Sequence, residues 1–264
     1  MCFFGHITIS LFNEIPKHQG EFMKKINFKL LMVIAALPFS FSQFVSAAET
    51  EIPVDHIYAP AGFDSNDNTE VVITGYLPNL CYKAPKSTVT VKNGKIAVTM
   101  NAIRRNNGMA LCTVIKLPYS ETVDIGVLDK GKYQVAVNEK TSFEFLGKLT
   151  VAEATSNSID DVIYANVEKV ERLDAGKRTV LLTGYNPSDC FELKEIVVKD
   201  NGTDTFSILP KMKQVREFCP KKMIPFTYEF EVPETLTADK VLLHVRVMDG
   251  RAVNAFFENK LQLE

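Results

Sequence analysis

The chain carries one pattern twice. Gly75 stands six residues before Cys81, and Gly184 stands six before Cys190; a second cysteine follows 31 residues on at Cys112 and 29 residues on at Cys219. Pro118-Tyr119 lies six residues past Cys112, and Pro225-Phe226 six past Cys219. Of the chain's five cysteines Cys2 lies in the amino-terminal segment expected to be removed, and the four that remain, an even number in two matched pairs, read in an exported chain as a disulfide framework. The spacing assigns one bridge to each repeat, Cys81 to Cys112 and Cys190 to Cys219.

Between these landmarks the apolar residues alternate. Tyr133-Gln134-Val135-Ala136-Val137 answers Leu243-His244-Val245-Arg246-Val247, and Val123-Asp124-Ile125 answers Phe230-Glu231-Val232. A period of two marks strands with one buried face. Thr88 to Lys92 and Lys95 to Met100 flank Asn93-Gly94, the dipeptide that most readily takes the positive dihedrals of a tight hairpin turn. Further strands are expected at Val71–Ile73, Phe143–Leu146, Val180–Leu182, Ile196–Lys199, Thr205–Leu209 and Ala255–Phe257, about seven per repeat. Seven short strands in roughly 100 residues fit a two-layer sandwich. The expected fold is all-β: two tandem immunoglobulin-like antiparallel β-sandwiches, each with one internal disulfide. The likeness is loose, because the chain has no tryptophan.

The run Gly75-Tyr76-Leu77-Pro78 up to Cys81, with Cys112, Pro118-Tyr119 and Gly131-Lys132-Tyr133, resembles disulfide-clamped domains of exported, mostly uncharacterised bacterial proteins. The resemblance covers residues 55–146 and, more weakly, 160–259, where Asn186 replaces the leucine and the Gly-Lys-Tyr is lost. It implies a β-sandwich and brings no catalytic residues.

The amino end reads differently. Met23, Lys24 and Lys25 form a basic start, Leu30 to Phe39 an apolar stretch, and Val45-Ser46-Ala47 a small-residue cleavage site, the grammar of a secretory signal. Residues 1–22 then form an upstream extension, 23–47 the signal, 48–151 the first repeat, 152–161 a small polar linker and 162–264 the second repeat. The apolar stretch is too short for a membrane span, which needs about 20 residues. The mature chain is expected in the periplasm or outside the cell, with no stable membrane span.

Cleavage leaves 26 basic against 30 acidic side chains, a charge of −4. So mild an acidic excess offers no field for nucleic acid. The mature chain keeps two histidines, His56 and His244. Alternation puts His244 on the strand face away from Leu243 and Val245, which reads as solvent-facing. His56 lies beside Asp55 with no nucleophile near it in sequence, so no catalytic residues are assigned. Asp64 to Glu70, "DSNDNTE", spaces oxygen ligands as a calcium loop does but lacks that loop's glycine, and reads as a solvated turn. No metal and no cofactor is expected.

Basic residues recur before and around each second cysteine: Arg104 and Arg105 in the first repeat; Lys211, Lys213, Arg216, Lys221 and Lys222 in the second. They are the candidate partner-binding residues, suited to an anionic surface, against the plainer reading of soluble loop charges. The function expected is a non-catalytic module of the bacterial envelope that recognises a protein or polysaccharide through loops or strand edges. The alternatives are a protease inhibitor, whose loop a disulfide would hold rigid, and an enzyme with scattered site residues.

Overall fold

The computed structural model describes residues 48–105 and 112–259. The expected signal segment and the extension before it lie outside the described residues. Sixteen strands and no helix occur among the described residues.

The first repeat holds β1 (Ala48–Glu51), β2 (Val54–Tyr58), β3 (Phe63–Asp64), β4 (Asn68–Leu77), β5 (Tyr82–Lys92), β6 (Lys95–Arg104), β7 (Leu117–Val127), β8 (Gly131–Val137) and β9 (Phe145–Ala152). The second holds β10 (Val167–Arg172), β11 (Thr179–Asn186), β12 (Phe191–Asp200), β13 (Thr205–Gln214), β14 (Ile224–Glu231), β15 (Lys240–Val247) and β16 (Arg251–Glu258). The seven expected strands are thus present in the second repeat, and the first adds the short β1 and β3. The Asn93-Gly94 turn takes φ of 51° and 73°, as a tight hairpin requires.

Both repeats are built alike. One layer is three-stranded, β2-β4-β7 or β10-β11-β14; the other runs β5-β6-β8-β9 or β12-β13-β15-β16. Val71 and Ile73 of one layer meet Ile96, Val98, Val135 and Leu149 of the other in a single apolar core, and Val180 and Leu182 meet Phe206, Ile208 and Val245 in its counterpart. Each repeat is therefore a β-sandwich, as expected. The expected purely antiparallel pairing is corrected at an equivalent place in each repeat, and once more in the first, where the short β3 pairs with β9 in parallel. β6 pairs with β8, and β13 with β15, in parallel. The intervening β7 or β14 crosses in the opposite layer, so the chain returns to its first sheet running the same way.

The repeated sequence signature becomes a repeated contact. Gly75 pairs across the ladder with Tyr119 and Tyr76 with Pro118; Gly184 pairs with Phe226 and Tyr185 with Pro225. On its other side each glycine faces a ladder irregularity, between Val54 and His56 or between Val167 and Lys169. There the backbones close in: a Cβ on Gly75 would sit 2.2 Å from the Pro53 carbonyl oxygen, and one on Gly184 would sit 2.1 Å from that of Asn166. Only glycine fits at that approach.

Disulfides join Cys81 to Cys112 and Cys190 to Cys219, with Cα atoms 5.4 and 5.5 Å apart. Each ties the turn after β4 or β11 to the segment entering β7 or β14. Two disulfides point to an oxidising compartment outside the reducing cytosol. Among the described residues no helix is long and apolar enough to cross a membrane.

Candidate functional site

Three places in the structure bring chemistry together: the clamped ends of the two repeats, the junction between them, and a cleft at one side of that junction.

At the clamped end of the second repeat, residues 215–223 form no strand and are pinned at both ends. Val215 N donates to the Cys190 carbonyl at 2.8 Å, and Lys222 N donates to that of Pro187 at 3.0 Å. Of the cations expected to form a patch there, three are already engaged. Lys211 and Lys213 stand across the β12–β13 ladder from Glu195 and Glu192, at 3.5 and 3.2 Å, and Arg216 meets Asp189 at 3.4 Å. Lys221 and Lys222 are exposed and make no ion pair among the described residues. The patch is therefore narrower than the run of lysines implies, because cross-strand pairing brings carboxylates that are distant in sequence. Arg104 and Arg105 sit at the equivalent end of β6, exposed, with Arg104 5.8 Å from the Tyr82 ring centre.

What the sequence reading missed here is apolar. Phe218 is 83% exposed and Met223 68%, beside Lys221 and Lys222; in the first repeat Val114 is 86% exposed. Ile115 and Leu80 are exposed beside it. The available signal was Phe218-Cys219 itself: a large aromatic next to a bridged cysteine, in a segment without alternation.

The junction overturns the reading of His244. It is 1% exposed, because β15 is covered on both faces. Val241, Leu243 and Val245 enter the core of their own repeat, while Leu242, His244 and Arg246 face the first repeat. His244 Nδ1 lies 3.0 Å from Asn254 Oδ1 and 3.3 Å from Glu70 Oε1, and the ring packs edge-on against Phe63. Asn254 also donates to Glu70 at 2.7 Å. Burial opposes ionisation of Glu70, but hydrogen bonds from His244 and Asn254 outweigh it and hold its pKa below the usual range.

Arg246 closes on both oxygens of Asp67 and reaches Asp160 at 2.8 Å, with the Tyr164 ring centre 5.0 Å from its guanidinium carbon. The reading of the Asp64 to Glu70 loop changes in consequence. Asp67, in the would-be calcium loop, is buried under a guanidinium, so this loop is a docking element and not a solvated turn. Asp160, placed in the linker, is fixed to Arg246 and to the Gly250 amide. Burial, then the charge of Asp67, raises the pKa of Asp64 to about 6.

The order of contacts sets the relative direction of the repeats. Glu70 meets His244 and Val72 meets Leu242, so β4 and β15 run oppositely across the junction. β4 runs toward Cys81, and β15, parallel to β13, runs toward the Cys190 bridge. The two clamped ends therefore lie at opposite poles.

Beside the junction opens a cleft of about 980 Å³. One wall is β9 residues 145–150 with Lys132 and Gln134 of β8; the others are His56 and Ile57 of β2 and the Asn201–Asp204 turn of the second repeat. His56 Nε2 donates to Asp204 Oδ2 at 2.6 Å, so its partner is not the neighbouring Asp55 but a carboxylate 148 residues away. Burial works against the Asp204 carboxylate, yet bonds from His56, Asn201 and Thr205 hold its pKa low. Among the described residues no serine or cysteine lines this cleft, and neither Thr150, Thr203 nor Tyr133 hydrogen-bonds to His56. Among the described residues no group of His, Cys, Asp and Glu is placed to hold a metal ion.

A family model, the ORF11 beta-sandwich domain, matches residues 71–145, from within β4 to the first residue of β9. The chain is similar to that domain over this stretch, in keeping with the sandwich seen here. No curated protein and no solved structure matches the chain.

Proposed function

We propose that this protein is an exported, non-catalytic binding module of the bacterial cell envelope, which docks onto a protein partner through its disulfide-clamped loops. The observation that carries the reading is the 215–223 loop: a backbone fixed at both ends by hydrogen bonds and a disulfide, displaying an 83% exposed Phe218 beside two unpaired lysines. A rigid loop loses little conformational entropy on binding. A solvent-exposed aromatic flanked by basic side chains has the composition of an interface anchor.

The buried junction supports the same reading. It holds two sandwiches together and places their clamped loops at opposite poles, which suits a spacer or bridge better than a reaction vessel. His56 and Asp204 form the nearest approach to a catalytic pair, and the role of Asp204 there is to tie the repeats together.

The test compares capture from envelope extract by the mature protein and by a Phe218→Ser/Lys221→Ser/Lys222→Ser variant, each checked for unchanged thermal stability. A partner retained by the wild type and lost from the variant is the expected result. A partner held equally by both, or a turnover activity that survives the substitutions, sinks the reading.

A further inference from the structure

The cleft beside the junction exposes an unpaired stretch of sheet. β9 has β8 beside it from Phe145 to Val151 on one side; on the other, β3 reaches only Val151 and Ala152. Alternate backbone N–H and C=O groups of residues 145–150 therefore lack a ladder partner, and all six of those residues line the cleft. At about 3.3 Å per residue this edge is about 20 Å long. Long open edges are usually blunted. The edge strand β5 shows how: it carries Pro85, a left-handed Ala84 at φ 50° and a ladder irregularity between Lys83 and Lys86. Residues 145–150 carry neither proline nor irregularity.

We infer that this edge is a peptide-binding site that takes one extended, acidic segment of a partner protein as an added strand beside β9. The side chains supply the specificity. Leu146, Lys148 and Thr150 point to one face of β9, and Lys132 lies across the ladder from Thr150. Lys132 and Lys148 are exposed and make no ion pair among the described residues. A glutamate or aspartate on the added strand opposite Lys148 forms a favourable cross-strand pair, with Lys132 within the same field. On the other face Ile57 already packs over Gly147, where an added Cβ would lie 3.4 Å from its Cγ2, so the specificity rests on the lysine-bearing face. The same lysines repel the β9 edge of a second copy, so they select a foreign acidic strand over self-pairing. The proposal rests on the binding-module reading but not on the clamped loops.

The probe is a terminally blocked octapeptide of alternating Glu and Val, titrated calorimetrically into the full mature chain while amide hydrogen exchange is followed by NMR. The expected result is binding that slows exchange at alternate amides of residues 145–150. A Lys132→Glu/Lys148→Glu variant should weaken it by about tenfold or more, and a peptide methylated on alternate backbone nitrogens should not bind. The Phe218→Ser variant should bind the octapeptide as the wild type does. Equal binding of a Lys/Val octapeptide, or protection confined to residues away from β9, overturns the proposal. So does failure of the octapeptide while polygalacturonate binds in the cleft, which would assign the site to an anionic glycan. Failure of the octapeptide with Phe218-dependent capture intact removes this site and leaves the clamped-loop reading standing.

Discussion

Arg246 of the second repeat clasps both carboxylate oxygens of Asp67 in the first, 179 positions earlier, and the two side chains are 5% and 1% exposed. A pair so placed is costly to break from one side, since the remaining charge stays buried. Arg246→Met should destabilise the protein by about 3 to 5 kcal/mol. Adding Asp67→Leu to it should recover much of that loss, because apolar replacement of both partners removes the stranded charge. Urea unfolding of the single and double variants measures both effects; a double variant no better than the single would mean that Asp160 alone sets the cost.

The paired glycines make a second prediction. Gly75→Ala and Gly184→Ala each drive a methyl into a backbone carbonyl, at 2.2 and 2.1 Å, which no side-chain rotation relieves. Each should cost about 3 kcal/mol, the upper end of the overpacking range. Gly126→Ala has open space around it but takes φ of 89°, so it should cost less, through backbone strain alone. Thermal midpoints of the three variants check the order.

The glycines also show how much was legible in the sequence. Gly75 and Gly184 mark a real event, and the Pro-aromatic pairs far downstream are their cross-strand partners; both were visible as a repeat because local backbone constraints act on fixed residues. Alternation found the strands for the same reason. It misplaced His244 because a period of two says which residues share a face and nothing about what covers that face. Besides the apolar contact of Tyr58 and Val72 with Leu242, the junction is made of polar pairs between residues that are far apart, Glu70 with His244 and His56 with Asp204. Such pairs leave no local pattern. The run Val241-Leu242-Leu243, apolar on both faces, was the one hint that β15 is buried on two sides.

Carboxylates at the junction fix the acid response. Glu70 and Asp204 have lowered pKa values in the fold, so their contribution is present above the ordinary carboxylate range and is lost as pH falls through the folded values. Asp64 acts oppositely: raised from 3.8 to about 6, its contribution is complete below its unfolded pKa and is lost as pH rises through about 6. The urea midpoint should therefore hold level or rise from about pH 7 to about pH 5, and fall below about pH 4. Asp64→Asn should remove the change between about pH 5 and about pH 7 while leaving the acid fall. A wild-type midpoint that falls steadily from about pH 7 would show that Asp64 titrates without effect on folding.

The disulfides test whether the junction joins the repeats energetically. Closing loops of 31 and 29 residues should stabilise by about 3 to 4 kcal/mol each on the chain-entropy estimate. Each repeat has its own apolar core, so independent unfolding is one outcome of removing a single bridge. The junction argues for the other. Separating the repeats strips partners from Asp67, Glu70, His244 and Arg246 and uncovers Val72 and Leu242, all buried now. That cost falls on the intact repeat whenever its neighbour unfolds, and a few kilocalories is a large share of a domain's stability. Cys190→Ala/Cys219→Ala should therefore lower the unfolding midpoint of both repeats together. Two separate urea transitions in that variant, with the first repeat at its wild-type midpoint, would show that the junction contributes little. The readout is hydrogen exchange followed at Val135 in the first core and Val245 in the second, which should lose protection at the same urea concentration.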